Sequence, residues 1–560
     1  MSAPLRALER IHRQFGPGLA ERKAILLDRL ASRRLPTARA VSRLHEVLCY
    51  LRAYPDSPAV LERVEQMLMQ FSGRRDLRRH AAELQDSGIA GTPTYYPFFH
   101  PTAVWLASRW PSRLTISWPD LEYPDRLDRI LPLLALWAET PGLDEAPLSV
   151  RDWIRRMKGP KETDAVFLVR RMEAVRAELP VREVVFEDLG IMFKLSSGPD
   201  TPARTHARVP RGRAHYVTRP LDTARPDLRL ALRDRPRRVT AVPRTEAQRL
   251  IDLAREAMVA RSRDLDTFAY GDPDDVRIVD MGDGLEFVAI GLIPERRLLL
   301  EAVYGFLTLK NGVPIGYVLN SALYGSAEVA YNVFDTYRGG EAGRVYGQVL
   351  AMLRHLFRAT AFTIYPYQLG GEGNDEGLKS GAWWFYQKLG FRPRDPEAVT
   401  LMKSELARMR RSASHRSTRA TLKQLAEHNM YYHIGRPRED VMGVFPLANV
   451  GLAVTDALAR RFGADRDAAE RVLDREVARM LATGSRRGWS AGERLGFARW
   501  APLVAALPDV AAWTLAERRA LARVMRAKGG RRESDFVLRF DAHRRLRRAV
   551  AALARDARVP

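Results

Sequence analysis

The segment that most constrains the fold runs from 276 to 334, where short apolar runs follow one another as VRIVDM, LEFVAIGLI, VYGFLTLK, VPIGYVLN and AEVAYNVF. Runs of this length, rich in β-branched and aromatic residues, read as strands. Asn311-Gly312 sits between two of them. That pair is the strongest short hairpin signal, because a type I′ turn needs positive φ at both central residues. The strands are preceded by an amphipathic helix, TEAQRLIDLAREAMVAR, opened by Thr245. After them come an Arg/Gly-rich turn and a helix in which Val345, Val349, Met352, Leu353, Leu356 and Phe357 line one face. A strand (FTIYPY), a Gly-rich loop (LGGEGNDEG) and a helix (SGAWWFYQKLGF) complete the unit. The pattern predicts an α/β (α+β) class, a mixed sheet with flanking helices.

Around this unit the chain reads as helical. Residues 1–88 carry apolar residues at helical spacing, broken at Pro36 and at Pro55 to Pro58. Residues 89–120 hold Tyr95, Tyr96, Phe98, Phe99, Trp105, Trp110 and Trp118. Such a cluster either plugs a space between helices or, with Arg109 and Arg113, stacks bases. Residues 121–180 read as helix, 183–196 as two short strands around a turn, and 197–245 as an irregular, Pro/Arg-rich connection. Beyond 400 the chain reads as helical to its end, with Thr514 and Glu517 in capping-box spacing. The expected domains are 1–182 (mostly helical), 183–243 (short strands and linker), 244–400 (the sheet unit) and 401–560 (basic and helical).

Composition narrows the class of protein. A chain of 560 residues exceeds a single ordinary core, and 46% hydrophobic with 28% charged residues suits a soluble globular protein. No apolar run is long enough to span a membrane, and the first residues lack a signal-peptide h-region, so a cytoplasmic protein is expected. The single cysteine, Cys49, excludes an internal disulfide framework and a multi-thiolate zinc site. The histidines, His428 and His433 included, have no metal-ligand spacing, so no metal is expected. Abundant alanine and arginine suggest a high-GC bacterial coding bias, but the net charge of +24 is a real surplus of base. Roughly two-thirds of it falls in 401–560, whereas residues 285–395 are close to neutral.

Two segments carry a resemblance. Arg338-Gly339-Gly340-Glu341-Ala342-Gly343 precedes the central helix, and Ala382, Phe385, Tyr386, Lys388, Leu389, Gly390 and Phe391 mark the later one. In this order of elements they resemble the GNAT superfamily of N-acetyltransferases, over roughly a quarter of the chain. The family signature is Arg/Gln-x-x-Gly-x-Gly/Ala, so Glu341 stands where its middle glycine belongs. Lys379 likewise stands where the family's helix carries asparagine. The resemblance implies acetyl-CoA or another acyl-CoA as co-substrate. Its pyrophosphate would meet the backbone of Arg338, Gly339, Gly340, Ala342, Gly343 and Arg344, and its pantetheine arm the strand backbone at Val333-Phe334. Unpaired N–H groups at a helix N-terminus and glycines that allow close approach are what a pyrophosphate needs. The resemblance further implies that Tyr386 serves the departing thiolate. Glu328, Asp335 and Glu301 are the base candidates for an amine acceptor, whose free pKa lies near 10. Tyr365, Tyr367 and the loop from Gly370 to Glu376 are candidates for the acceptor side.

Three functions fit these features. The first is an acyl-CoA-dependent N-acyltransferase acting on an amine. The second is a catalytically degenerate GNAT-fold scaffold whose basic helices bind nucleic acid or another anionic partner. The third joins the two, as a Fem-type or related transferase whose donor or acceptor is an RNA.

Overall fold

The computed structural model describes residues 3–209 and 212–556. Its centre is a nine-stranded mixed sheet. The strands are β4 (Arg238–Ala241), β5 (Gly271–Gly282), β6 (Leu285–Leu292), β7 (Ala302–Lys310), β8 (Val313–Leu323), β9 (Ser326–Val333), β10 (Ala361–Ile364), β11 (Arg392–Pro393) and β12 (Met430–His433). They lie in the order β11-β12-β10-β9-β8-β7-β6-β5-β4. Every neighbouring pair is antiparallel except β9 and β10, which are parallel. Of the four connections from β5 to β9, three are tight turns with two residues at positive φ, Asp283-Gly284, Asn311-Gly312 and Tyr324-Gly325, and the fourth, between β6 and β7, is the longer segment 293–301. Asn311 forms the predicted hairpin, pairing Lys310 with Val313 across the turn. Its side chain also receives the His215 N–H at 2.8 Å and donates to the Ala53 carbonyl at 2.9 Å, so the turn is anchored from outside the sheet.

Helices cover both faces. The helix Ala342–Phe357 lies on the face that carries Tyr304 and Tyr331, since Tyr346 packs at a tilt against Tyr331 and Phe357 against Tyr304. The helix Arg244–Val259 and the turn Asp266–Ala269 cover the opposite face, where Phe268 meets Tyr317 edge-on. Helices of the C-terminal region share the same core: Trp500, Phe536, Val537, Phe540 and Val550 are buried in it. Two further cores are separate. One joins the N-terminal helices Ala3–Ile11, Leu19–Ala31, Ala38–Ala53 and Pro58–Met69. The other buries Phe98, Trp105 and Trp110 beside a small antiparallel sheet of β1 (Thr94–Tyr96), β2 (Leu114–Ile116) and β3 (Phe193–Leu195). Most of the aromatic cluster is therefore packing.

Three expectations are corrected. Residues 183–188, expected as a strand, belong to the helix Leu179–Asp188, so EVVFED is helical and only Phe193–Leu195 is extended. The C-terminal region is not purely helical, because Met430–His433 pairs with β10 and β11 and forms part of the sheet. The Pro/Arg-rich connection is docked in part: Thr201, Thr205 and Ala207 are buried, and Arg52 donates to the carbonyls of Arg204 and Thr205 at 2.8 and 2.7 Å. Pro210 and Arg211 of that connection lie outside the described residues.

Buried charges join the C-terminal helices to the sheet. Lys528 pairs with Glu533 at 2.5 Å and donates to the Glu301 carbonyl at 2.7 Å. The Glu533 N–H bonds Asp275, whose carboxylate also accepts from Tyr304. Burial opposes the charged form of both Lys528 and Glu533, so each depends on its partner. Lys528→Met leaves a buried carboxylate unpaired and is expected to lower unfolding stability by about 3–5 kcal/mol. Urea denaturation tests this, and a loss below about 1 kcal/mol would mean that the pair is dispensable.

Candidate active site

The two parallel strands separate soon after they meet. Only three rungs join them, Ala361 with Ser326, Phe362 with Ala327 and Thr363 with Glu328. Tyr365 then adopts the extended conformation a residue before proline prefers (φ −74°, ψ 150°), and Pro366 opens a short helical turn to Leu369. β9 meanwhile continues to Val333 along β8 alone. The Phe334 N–H donates to the Ile315 carbonyl at 3.0 Å, on the β8 side. Peptide groups alternate sides along a strand, so those of Tyr331 and Val333 face the empty side. Arg338 Nε bonds the Val333 carbonyl at 3.2 Å, and among the described residues nothing meets the N–H groups of Tyr331 and Val333.

A cavity of about 700 Å³ occupies this split. Tyr317, Leu319, Ala330 and Asn332 contribute from β8 and β9, Ala382, Phe385 and Tyr386 from the later helix, and Arg338, Gly339 and Ala342 from the turn before the central helix. In that turn Gly339 (φ 87°) and Gly340 (φ 64°) take left-handed conformations that reverse the chain tightly. Arg13 secures the outer side by donating to the carbonyls of Arg338 at 2.7 Å and Thr336 at 3.1 Å. The first helical bond is Val345 N–H to Glu341 C=O at 2.9 Å. Among the described residues the N–H groups of Ala342, Gly343 and Arg344 have no acceptor, and the helix dipole adds positive potential there.

Glu341 does not oppose an anion at this turn. Its carboxylate is buried, bonded to Lys310 at 3.1 Å and to Arg344 at 2.6 Å. Two cations thus neutralise it beneath the sheet, where Lys310 ends β7. Burial pulls the Lys310 ammonium below its ordinary pKa, and the charge of Glu341 counters that.

The candidate carboxylates differ in setting. Glu328 lines a second cavity of about 420 Å³, which shares Asp264, Leu265, Leu319 and Ala330 with the first. Burial raises its pKa above the usual carboxylate range, and Glu301 adds to the effect. Asp264 is pushed up to about 6 by burial, although it accepts bonds from Thr102 and from the Phe99 and Leu265 N–H groups. Asp335 is 84% exposed, pairs with Arg338 at 2.8 Å and lines neither cavity. Tyr386 is buried, packs edge-on against Tyr346 and Phe391, and has its hydroxyl pKa raised by burial.

Of the residues singled out from sequence, Val333, Arg338, Gly339, Ala342, Tyr386 and Tyr367 line the larger cavity, and Glu328 lines the adjoining one. Phe334 is buried with its N–H turned to β8, so the open strand edge is Tyr331 and Val333 in place of Val333 and Phe334. Gly340 and Gly343 pack against Leu221 and Pro226, and Arg344 reaches Asp283 at 2.8 Å. Tyr365 is exposed and donates to Glu372 at 2.6 Å. Sequence reading missed Arg263 and Asp264, which enter from the end of the helix Arg244–Val259, and Tyr96 as a wall residue from β1. Among the described residues no cluster of three or more His, Cys, Asp or Glu is placed to hold a metal, and no helix is long and apolar enough to cross a membrane. No protein-family model, no curated protein and no solved structure matches the chain.

Glu341→Ala strands the Lys310 ammonium beneath the sheet and is expected to cost about 3–5 kcal/mol in urea unfolding. The double variant Lys310→Met/Glu341→Met is expected to recover most of that loss. An undiminished loss in the double variant would show that the pair acts through something other than charge compensation.

Proposed function

We propose that the chain is a GNAT-type N-acyltransferase that moves an acyl group, acetyl in the simplest case, from acyl-CoA to an amine. The observation that carries this reading is the open β9 edge at Tyr331 and Val333, adjoining a glycine turn and a helix N-terminus with unmet N–H groups. A pantetheine arm carries amides that pair with such an edge as an added strand does, and a pyrophosphate suits the turn. The fit to the group rests on Glu341, the acidic side chain of the turn, being neutralised by Lys310 and Arg344, and on Arg338 pairing the two neighbouring carboxylates, Asp335 and Glu376.

Chemistry then follows from the side chains around the split. Glu328, held above the usual carboxylate range, is suited to take a proton from an ammonium group near neutral pH, directly or through a water. Asp264 and Asp266 border the same cavity and attract a cationic acceptor. Tyr386 keeps its proton in a dry setting and can give it to the departing thiolate, restoring its hydroxyl from solvent. The donors here are protein groups in fixed positions, which is where electrostatic preorganisation acts.

Acetyl-CoA is expected to stabilise the protein by about 2.7 kcal/mol at a hundredfold excess over its Kd. Calorimetry on Tyr386→Phe should find binding retained while turnover of an amine falls by about a hundredfold or more. Absent binding at millimolar ligand would sink the acyltransferase reading, and either that result or retained binding with no turnover in the native protein would favour the non-catalytic scaffold. For Glu328 the sign is that of a base: kcat/KM rises with pH as the carboxylate ionises. Glu328→Gln is expected to lower kcat by about 10²–10⁴ and to remove that acidic limb from the pH profile. An unchanged profile would take Glu328 out of the chemistry.

A further inference from the structure

A second surface, remote in the chain from the split, is built from the helices Leu515–Lys528, Glu533–Ala542 and Arg544–Asp556. They bury Val524, Phe540 and Leu546 against one another and the sheet. Between them runs a groove of about 500 Å³ whose charged walls are Arg523, Arg539, Arg544 and Arg545 with one carboxylate, Glu517. Arg545 is paired with Glu517 at 2.9 Å. Arg523, Arg539 and Arg544 are exposed and have no ion-pair partner among the described residues. Arg461 and Arg486 of the C-terminal region are matched by Glu476 and Asp474, whereas Arg410, Arg411, Arg460 and Arg487 also lack an ion-pair partner among the described residues but line no groove with one another. Three uncompensated guanidinium groups around one groove repel each other, and an anion relieves that repulsion.

The walls narrow the kind of anion. Guanidinium forks match phosphate oxygens in a bidentate way. The groove's apolar lining is mainly alanine, Ala516, Ala520 and Ala542, and the nearby Trp513 is buried. There is thus no platform for stacking a base, which leaves recognition of a charged backbone. A membrane surface fits less well, because the apolar faces of these helices are already buried in the core and only Leu515 stands out beside the groove. We propose that this groove binds the phosphodiester backbone of a nucleic acid without reading its bases. The proposal is independent of the acyltransferase reading.

The test uses the full chain and fluorescence anisotropy with a labelled single-stranded RNA and a labelled duplex DNA of equal length, across a range of salt. The expected result is binding whose logarithm falls linearly with log salt, with little dependence on sequence. The triple variant Arg523→Gln/Arg539→Gln/Arg544→Gln is expected to bind at least about tenfold more weakly and to lose about 2 to 3 from that slope. Arg410→Gln/Arg411→Gln, on another basic helix, should bind as the native chain does. A thermal melt of the triple variant matching the native one separates lost contacts from lost fold, and a single Arg539→Gln variant, weakened by a smaller step, serves if the triple does not fold. Equal response to RNA and DNA identifies the shared backbone as the ligand, and a preference for one names its source. No binding to either probe, binding unchanged in the triple variant, or binding only to phosphatidylserine vesicles or an acidic peptide would overturn the proposal.

Discussion

The divergence of β9 and β10 is the constraint on which the rest of the site depends. Parallel strands that stayed paired would satisfy each other's peptide groups and leave no cavity between them. Here pairing stops after three rungs, because Tyr365 and Pro366 turn β10 away while β9 continues along β8. The N–H groups of Tyr331 and Val333 are thereby left on an open edge that lines the cavity. Unpaired backbone at such depth is costly unless a ligand or water meets it. The glycine turn and the helix Ala342–Phe357 lie at the end of this edge because β9 leads directly into them.

Buried charge holds the surrounding frame in place. Lys310 and Glu341 tie the end of β7 to the start of the central helix, on the side of the turn away from the cavity. Lys528, Glu533 and Asp275 tie the C-terminal helices to the other end of the sheet. Pairs of this kind add little net stability compared with apolar packing, but a single broken partner is costly. They therefore act mainly to specify which elements meet. Glu341 illustrates the point: its carboxylate joins helix to sheet through Lys310 and Arg344, and the amides of the turn keep no acceptor among the described residues.

Much of the frame was legible in the residues. Asn311-Gly312 announced its hairpin because few other pairs tolerate positive φ twice, and Val345 to Phe357 announced a helix by spacing alone. Tyr324-Gly325 forms a similar turn without the usual residues, so that connection was visible only through the strands beside it. EVVFED was misread because a short apolar run has no period that separates strand from helix. Met430–His433 was hidden in a helical region for the same reason, since it is only four residues long. In the site, Arg338, Gly339 and Tyr386 could be singled out because their residue types recur in one pattern. Asp264 and Tyr96 could not, because only tertiary packing brings them to the cavity wall. The choice between Phe334 and Tyr331 as the open edge turned on strand pairing, which alternation of residue types does not encode.

Hydrogen exchange at individual amides, with and without acetyl-CoA, tests the central claim most directly. If the open edge and the turn take the acyl-CoA, the N–H groups of Tyr331, Val333, Ala342, Gly343 and Arg344 should become protected together on adding ligand, while Phe334, already bonded to Ile315, should change least. Exchange at these five amides that is unaffected by saturating ligand, or protection confined to another part of the chain, would contradict the account.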